Sequence, residues 1–141
     1  MDTRGAADQL AKVPMFSGCT KRELQAIVLA AKEVSHPEGH VIAREGDRGV
    51  GFFLITDGKV KVSIGGKGRA TLGPGDFFGE ISLLDRGPRT ATVTATTPVK
   101  LLGLTFWVFR GLLEQHPSIA MKVLEVVAQR LRDVTKKSPT G

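Results

Sequence analysis

The sequence predicts an α+β, mainly β domain: a sandwich or barrel of short strands between helical ends. Three observations predict it. From Glu33 to Thr105, short apolar segments alternate with turn signals at Pro37-Glu38-Gly39, Glu45-Gly46-Asp47, Asp57-Gly58, Gly65-Gly66-Lys67-Gly68 and Gly73-Pro74-Gly75-Asp76. Turns this frequent leave room only for short strands. The flanks instead repeat apolar residues at helical spacing. Finally, 141 residues with 41% hydrophobic and 24% charged side chains fit one globular domain with a buried core.

Residues 1–7 are small and polar and are expected to be disordered. Asp8–Val13 reads as a short helix ended near Pro14. Thr20-Lys21-Arg22-Glu23 has the spacing of a capping box, and Leu24, Ile27, Val28 and Ala31 form the stripe of a helix ending near Lys32. Strands are expected at Glu33–His36, Val41–Ala43, Phe52–Thr56, Val60–Ile64, Ala70–Leu72, Thr92–Ala95 and Val99–Leu104. Asp57-Gly58 reads as a hairpin turn, and Gly65–Gly68 as a second tight return. Thr105 is the expected N-cap of a helix from Phe106 to about Glu114. His116 then caps a last helix opened by Pro117, where the missing N–H costs nothing. Its stripe is Ala120, Val123, Leu124, Val127, Leu131 and Val134; Lys122, Glu125, Gln129, Arg132 and Asp133 lie largely off it. Ser138-Pro139 should break this helix.

The chemistry concentrates in Phe77–Ala95, FFGEISLLDRGPRTATVTA. It reads as loop, one helical turn, loop and strand. Glu80 and Arg89 stand nine positions apart. The start of a helical turn offers unpaired N–H groups and partial positive charge. Gly79 permits a close approach to the backbone. Arg89 supplies a forked donor pair suited to phosphate. Glu80 would repel a phosphate in contact with it; ionised, it only accepts hydrogen bonds. A ligand with a phosphate at one end and a hydroxyl at the other satisfies both charges, and a 3′,5′-cyclic nucleotide is such a ligand. Taken without its surroundings, the same Glu and Arg would better suit a structural ion pair on a loop.

Phe78-Gly79-Glu80-Ile81-Ser82-Leu83-Leu84, followed by Pro88-Arg89-Thr90-Ala91-Thr92-Val93, closely resembles the phosphate-binding cassette of cyclic-nucleotide-binding domains. These include kinase regulatory subunits, cyclic-nucleotide-gated channels and catabolite-activator-type regulators. The resemblance implies an eight-stranded β-roll, jelly-roll-like, over residues 33–105, with the cassette at 77–92, a helical segment over 1–32 and C-terminal helices over 106–136. It implies that Arg89 holds the cyclic phosphate and Glu80 the ribose hydroxyl. The backbone of Gly79, Ile81 and Ser82 and the side chain of Thr90 would complete the shell, with Phe78 and Ala91 beside them. The implied ligand is cAMP or cGMP, with cAMP favoured, and no cofactor. Thr90 could contact the phosphate or the amine of a guanine.

Other chemistry finds little support. There is no GxxxxGK[ST] and no GxGxxG. His36, His40 and His116 do not converge as a metal site requires. Cys19 has no base beside it and reads as packing; no nucleophile-elbow motif exists. No catalytic residue and no metal is expected, which weighs against a cupin enzyme. The net charge of +6 and pI of about 9.8 invite a nucleic-acid reading. The basic residues are scattered, however, and Arg130, Arg132, Lys136 and Lys137 read as a solvated helix face and tail. A helix-turn-helix has no residues left to form it, so no nucleic-acid contact is expected. The start, MDTRGAADQL, lacks a signal-peptide apolar region, and no run approaches the about 20 apolar residues of a membrane span. With one cysteine, a cytoplasmic location is expected.

Phe106-Trp107-Val108-Phe109 departs from the family, whose helix here begins with polar residues. Phe109 matches the buried position. The others imply extra packing or a contact surface for a second subunit, a lid or the base, with Trp107 as a candidate base or partner contact. The expected role is a non-catalytic sensor that relays occupancy through its C-terminal helices to an unknown protein effector, possible homodimer included. The alternatives are the regulatory fragment of a larger transcription factor or channel, and a ligand-free β-roll contact module.

Overall fold

The expected short strands form two antiparallel four-stranded sheets with helices packed on one side. A computed structural model of the chain describes residues 3–48 and 51–136. The elements are α1 (Thr3–Leu10), a 3-10 turn at Pro14–Phe16, α2 (Lys21–Ala30), β1 (Lys32–His36), β2 (Val41–Ala43), β3 (Gly51–Asp57), β4 (Val60–Ile64), β5 (Lys67–Leu72), β6 (Phe77–Phe78), α3 (Ser82–Asp85), β7 (Thr92–Ala95), β8 (Val99–Thr105), α4 (Phe106–Gln115) and α5 (Pro117–Thr135). One sheet has the order β1-β8-β3-β6, the other β2-β7-β4-β5.

The first sheet is covered on both faces. Along β3, Phe52 and Leu54 point to the helices, where they meet Leu10, Phe16, Ile27, Phe109 and Ile119. Phe53 and Ile55 point the other way, toward Val60, Val93, Val99 and Leu101. Hence FFLI is continuously apolar, as expected of a strand with no wet face. Phe16 packs edge-on against both Phe52 and Phe109, with ring centroids 5.9 Å apart in each pair. Each such buried side chain contributes about 1.5–3 kcal/mol by removal from water.

Several expectations need correction. Residues 3–7 are helical rather than disordered, because Ala6, Ala7 and Leu10 bury one face of α1 against the core. Asp57-Gly58 does not close a hairpin. β3 and β4 lie in different sheets, and the turn is a corner between them. Gly58 is needed there (φ +85°) because a side chain would strike the Pro98 carbonyl and Thr97. The true hairpin is β4–β5, where Gly65 and Gly66 both have positive φ and Ile64 pairs with Lys67. This starts β5 at Lys67, three residues before the expected Ala70. β6, two residues long, pairs with β3 through Phe53↔Phe78 and Leu54↔Phe77 and shows no period in sequence. On α5, Ile119 and Val123 are buried, whereas Leu124, Leu131 and Val134 of the expected stripe are exposed. The expected break at Ser138-Pro139 lies outside the described residues.

The capping box forms as expected. Thr20 Oγ1 accepts from the Glu23 N–H at 3.2 Å, and Glu23 Oε1 accepts from the Thr20 N–H at 2.7 Å. The same carboxylate accepts from Lys122 Nζ and from the Ser118 hydroxyl of α5, each at 2.5 Å. Lys122, off the apolar stripe as expected, thus ties α5 to α2. Chiefly through Lys122, then Ser118 and the Thr20 backbone, the Glu23 pKa falls from 4.5 to about 2. A carboxylate depressed in the fold contributes stability above its unfolded pKa and loses it as pH falls through the folded one. Thermal melts should therefore show Glu23→Gln costing about 1–2 kcal/mol at pH 7. The deficit should narrow as pH is lowered from 4.5 toward 2; a pH-independent deficit would remove Glu23 from this role.

Candidate ligand-binding site

The cassette leaves the first sheet at β6 and enters the second at β7, so it crosses the gap between the two sheets. Its four-residue helix α3 is anchored by Leu83, which is buried in the helix-side core. This supplies the support that so short a helix lacks by itself. Beneath the cassette lies a cavity of about 560 Å³. Its wall on the second sheet is aliphatic: Ala43, Val62, Ala70, Leu72 and Val93.

Arg89 is held from several directions. Its N–H donates to the Asp47 carbonyl at 2.7 Å, and its own carbonyl accepts from Gly46 N–H at 2.9 Å. The Glu45-Gly46-Asp47 turn therefore fixes its backbone. Its guanidinium donates to the Gly51 carbonyl at 2.8 Å and, at 3.4 Å, to the Ser82 hydroxyl. This crossing needs Gly79, whose φ is +82° and where a Cβ would collide with the guanidinium and with the Gly51 carbonyl. Burial lowers the pKa of Arg89 from its ordinary value. A half-buried cation held, among the described residues, by neutral oxygens is a site that an anion would stabilise.

Glu80 lines the same cavity, and no ion pair joins it to Arg89 among the described residues. Its Oε1 accepts from Arg130 of α5 at 3.2 Å. Its Oε2 is buried and has no hydrogen-bond partner among the described residues. A buried carboxylate oxygen left unsatisfied is costly. The lining of one cavity thus includes a carboxylate with an unmatched buried oxygen and an under-compensated cation.

The family model for the cyclic nucleotide-binding domain matches residues 33–116. The chain belongs to the cyclic nucleotide-binding domain family. It is 34% identical over 128 residues to a CRP-like cAMP-activated global transcriptional regulator of Mycobacterium tuberculosis, covering 87% of this chain and 57% of that one. It is 40% identical over 111 residues to a cyclic nucleotide-gated potassium channel of Mesorhizobium japonicum, covering 79% of this chain and 31% of that one. The chain therefore spans little more than half of the first relative and about a third of the second. Among solved structures, the N-terminal domain of a transcriptional regulator from Streptomyces coelicolor A3(2) superposes with a TM-score of 0.85 at 35% identity, over 92% of this chain and 96% of that one.

Within this cyclic nucleotide-binding domain, Phe78, Gly79, Glu80, Ile81, Ser82, Arg89, Thr90 and Ala91 all line the one cavity. The Ser82 N–H is donated to the Gly79 carbonyl at 3.1 Å, closing the turn, while its hydroxyl meets Arg89. Trp107 is not in the lining. It is exposed on α4 beneath the Arg86 guanidinium. Arg130, read from sequence as part of a solvated face, instead reaches Glu80. That contact spans 50 positions and has no local signal in the sequence. The aliphatic wall was also missed, because it is assembled from four strands. His36 and His40 stack at 4.3 Å, and no metal-holding group of three or more His, Cys, Asp or Glu occurs among the described residues. Cys19 is half-buried against the helix-side core, and burial, then the Glu23 charge, raises its pKa.

Gly79→Ala should displace the Arg89 guanidinium and force an L side chain into the left-handed region, at a cost of about 1–3 kcal/mol. Thermal denaturation checks this; an unchanged melting temperature would mean that the close crossing is not required.

Proposed function

We propose that this domain is a non-catalytic sensor that binds cAMP, or cGMP, in the cavity beneath the cassette. The observation that carries the reading is that Glu80, one of whose carboxylate oxygens is buried and unpartnered among the described residues, lines the same cavity as the half-buried Arg89. Arg89 takes the cyclic phosphate with its fork, aided by Ser82 and Thr90. The ribose 2′-hydroxyl donates to Glu80 Oε2. Glu80 Oε1 stays with Arg130, so one carboxylate contacts ligand and α5 together. Ligand then shifts the balance between arrangements of α4 and α5, provided that it binds them unequally. The relatives described as cAMP-activated and as cyclic nucleotide-gated support the ligand class.

The output is a protein contact, and the proposed first candidate is a second copy. Leu124, Val127, Leu131 and Val134 follow a 3-4-3 spacing on α5, and three of them are exposed. Such spacing makes a coiled-coil seam. The second reading, a regulatory portion of a longer transcription factor or channel, is favoured by the length of the two relatives. No helix among the described residues is long and apolar enough to cross a membrane. A free thiol at Cys19 fits a reducing, cytoplasmic setting.

Calorimetric titration with cAMP, cGMP and 5′-AMP tests the ligand. Binding of a cyclic purine nucleotide but not 5′-AMP is expected; no heat from either cyclic nucleotide would defeat the reading. Breaking one side of a buried charge contact costs roughly 3–5 kcal/mol, and 1.4 kcal/mol is a factor of ten. Arg89→Ala should therefore weaken binding on the order of 100- to 1000-fold, and Arg89→Lys should also bind poorly. Glu80→Ala should harm cAMP more than 2′-deoxy-cAMP; equal loss would remove the carboxylate from the ribose. For the seam, Leu131→Asp should convert a dimer to a monomer in sedimentation, and a wild-type monomer at high concentration would dismiss it.

A further inference from the structure

We propose that Arg86 is a positioning residue that clasps the cassette to the start of α4, so that occupancy of the cavity is read at Trp107. The proposal rests on the cavity being the cyclic-nucleotide site. Arg86 ends α3 with φ 55° and is the one non-glycine residue with positive φ among the described residues. An L side chain resists that conformation, so its surroundings must hold it there. They do so through its side chain. The guanidinium lies 4.9 Å from the ring centre of Phe106 and 4.7 Å from that of Trp107. The two rings meet edge-on, 5.0 Å apart at 87°, so both faces are offered to one cation. Arg86 makes no ion pair among the described residues, which leaves the rings as its charge partners.

The clasp joins the cassette loop to the first turn of α4. On one side it grips the loop between Glu80 and Arg89, the proposed ligand contacts. The turn around Arg86 is tied by the Gly87 N–H donated to Asp85 Oδ1 at 2.8 Å, and Arg89 follows three residues after Arg86. On the other side it grips the first turn of α4, directly after Thr105, whose hydroxyl caps that helix by accepting from Val108 N–H at 3.2 Å. A shift of the cassette toward a bound phosphate therefore pulls on the junction from which α4 and α5 depart. The same contact explains why Phe106 and Trp107 occupy a helix start where Trp107 is 58% exposed: the rings serve a cation rather than the core.

The test uses the full chain, in which Trp107 is the sole tryptophan. Wild type, Arg86→Gly and Arg86→Lys are each titrated with cAMP by calorimetry and by tryptophan emission. Glycine accepts positive φ without strain, so this variant removes the clasp while easing the backbone. Wild type should bind with a change in emission. Arg86→Gly should still bind, about tenfold more weakly, and its ligand-dependent emission change should fall to about half or less, with Arg86→Lys partly restoring it. An emission change that survives intact in Arg86→Gly, or is absent from a wild type that binds, overturns the clasp and leaves the site standing. No heat with wild type overturns the site itself, and the clasp's role as its reader with it.

Discussion

The Arg89 guanidinium reaches the Gly51 carbonyl across a backbone that carries no side chain at Gly79. That crossing places a cation in the wall of a cavity without giving it a carboxylate. Among the described residues, the groups that accept from the Arg89 guanidinium are neutral: the Gly51 carbonyl and the Ser82 hydroxyl. A paired arginine would be satisfied and of no use to an anionic ligand. The fold instead keeps Glu80 engaged elsewhere, with Arg130, so the two opposite charges share an enclosure without cancelling.

The doubly covered sheet supports this arrangement. β3 is buried on both faces, and its first residue, Gly51, supplies the carbonyl that meets Arg89. The same strand pairs with β6, from which the cassette departs. Leu83 pins α3 to the helix-side core, while the cavity opens against the second sheet. The cassette is therefore fixed at both ends and near its middle. Its loop at Arg86 is the portion that leans on α4, and its carboxylate at Glu80 is the portion that meets α5. Contacts with both C-terminal helices thus leave from a segment of seven residues.

Much of the site was legible because it is local. Eight cassette residues that line the cavity fall within one stretch of chain, and turn chemistry and capping obey short-range sterics. The box at Thr20–Glu23 and seven of the eight strands followed from that chemistry with errors of boundary; β6 did not. Errors appeared where a local signal had a distant cause. Asp57-Gly58 looks like a hairpin because glycine there adopts positive φ, yet its partner across the turn is the Pro98 carbonyl rather than a neighbouring strand. Residues 1–7 look too small and polar to order, and the sequence predicts a helix only from Asp8, yet Ala7 and Leu10 of α1 meet a core built from both ends of the chain.

The sequence by itself determined the β-rich class, the cassette and the residue types of the charge pair, since spacing and turn residues act over a few positions. The tertiary structure alone decided which charges meet. Whether Glu80 faces Arg89 or Arg130, whether Lys122 meets water or Glu23, and whether Arg86 finds rings or solvent depend on elements tens of residues apart. Chain topology brings such groups together, and no local pattern encodes that encounter.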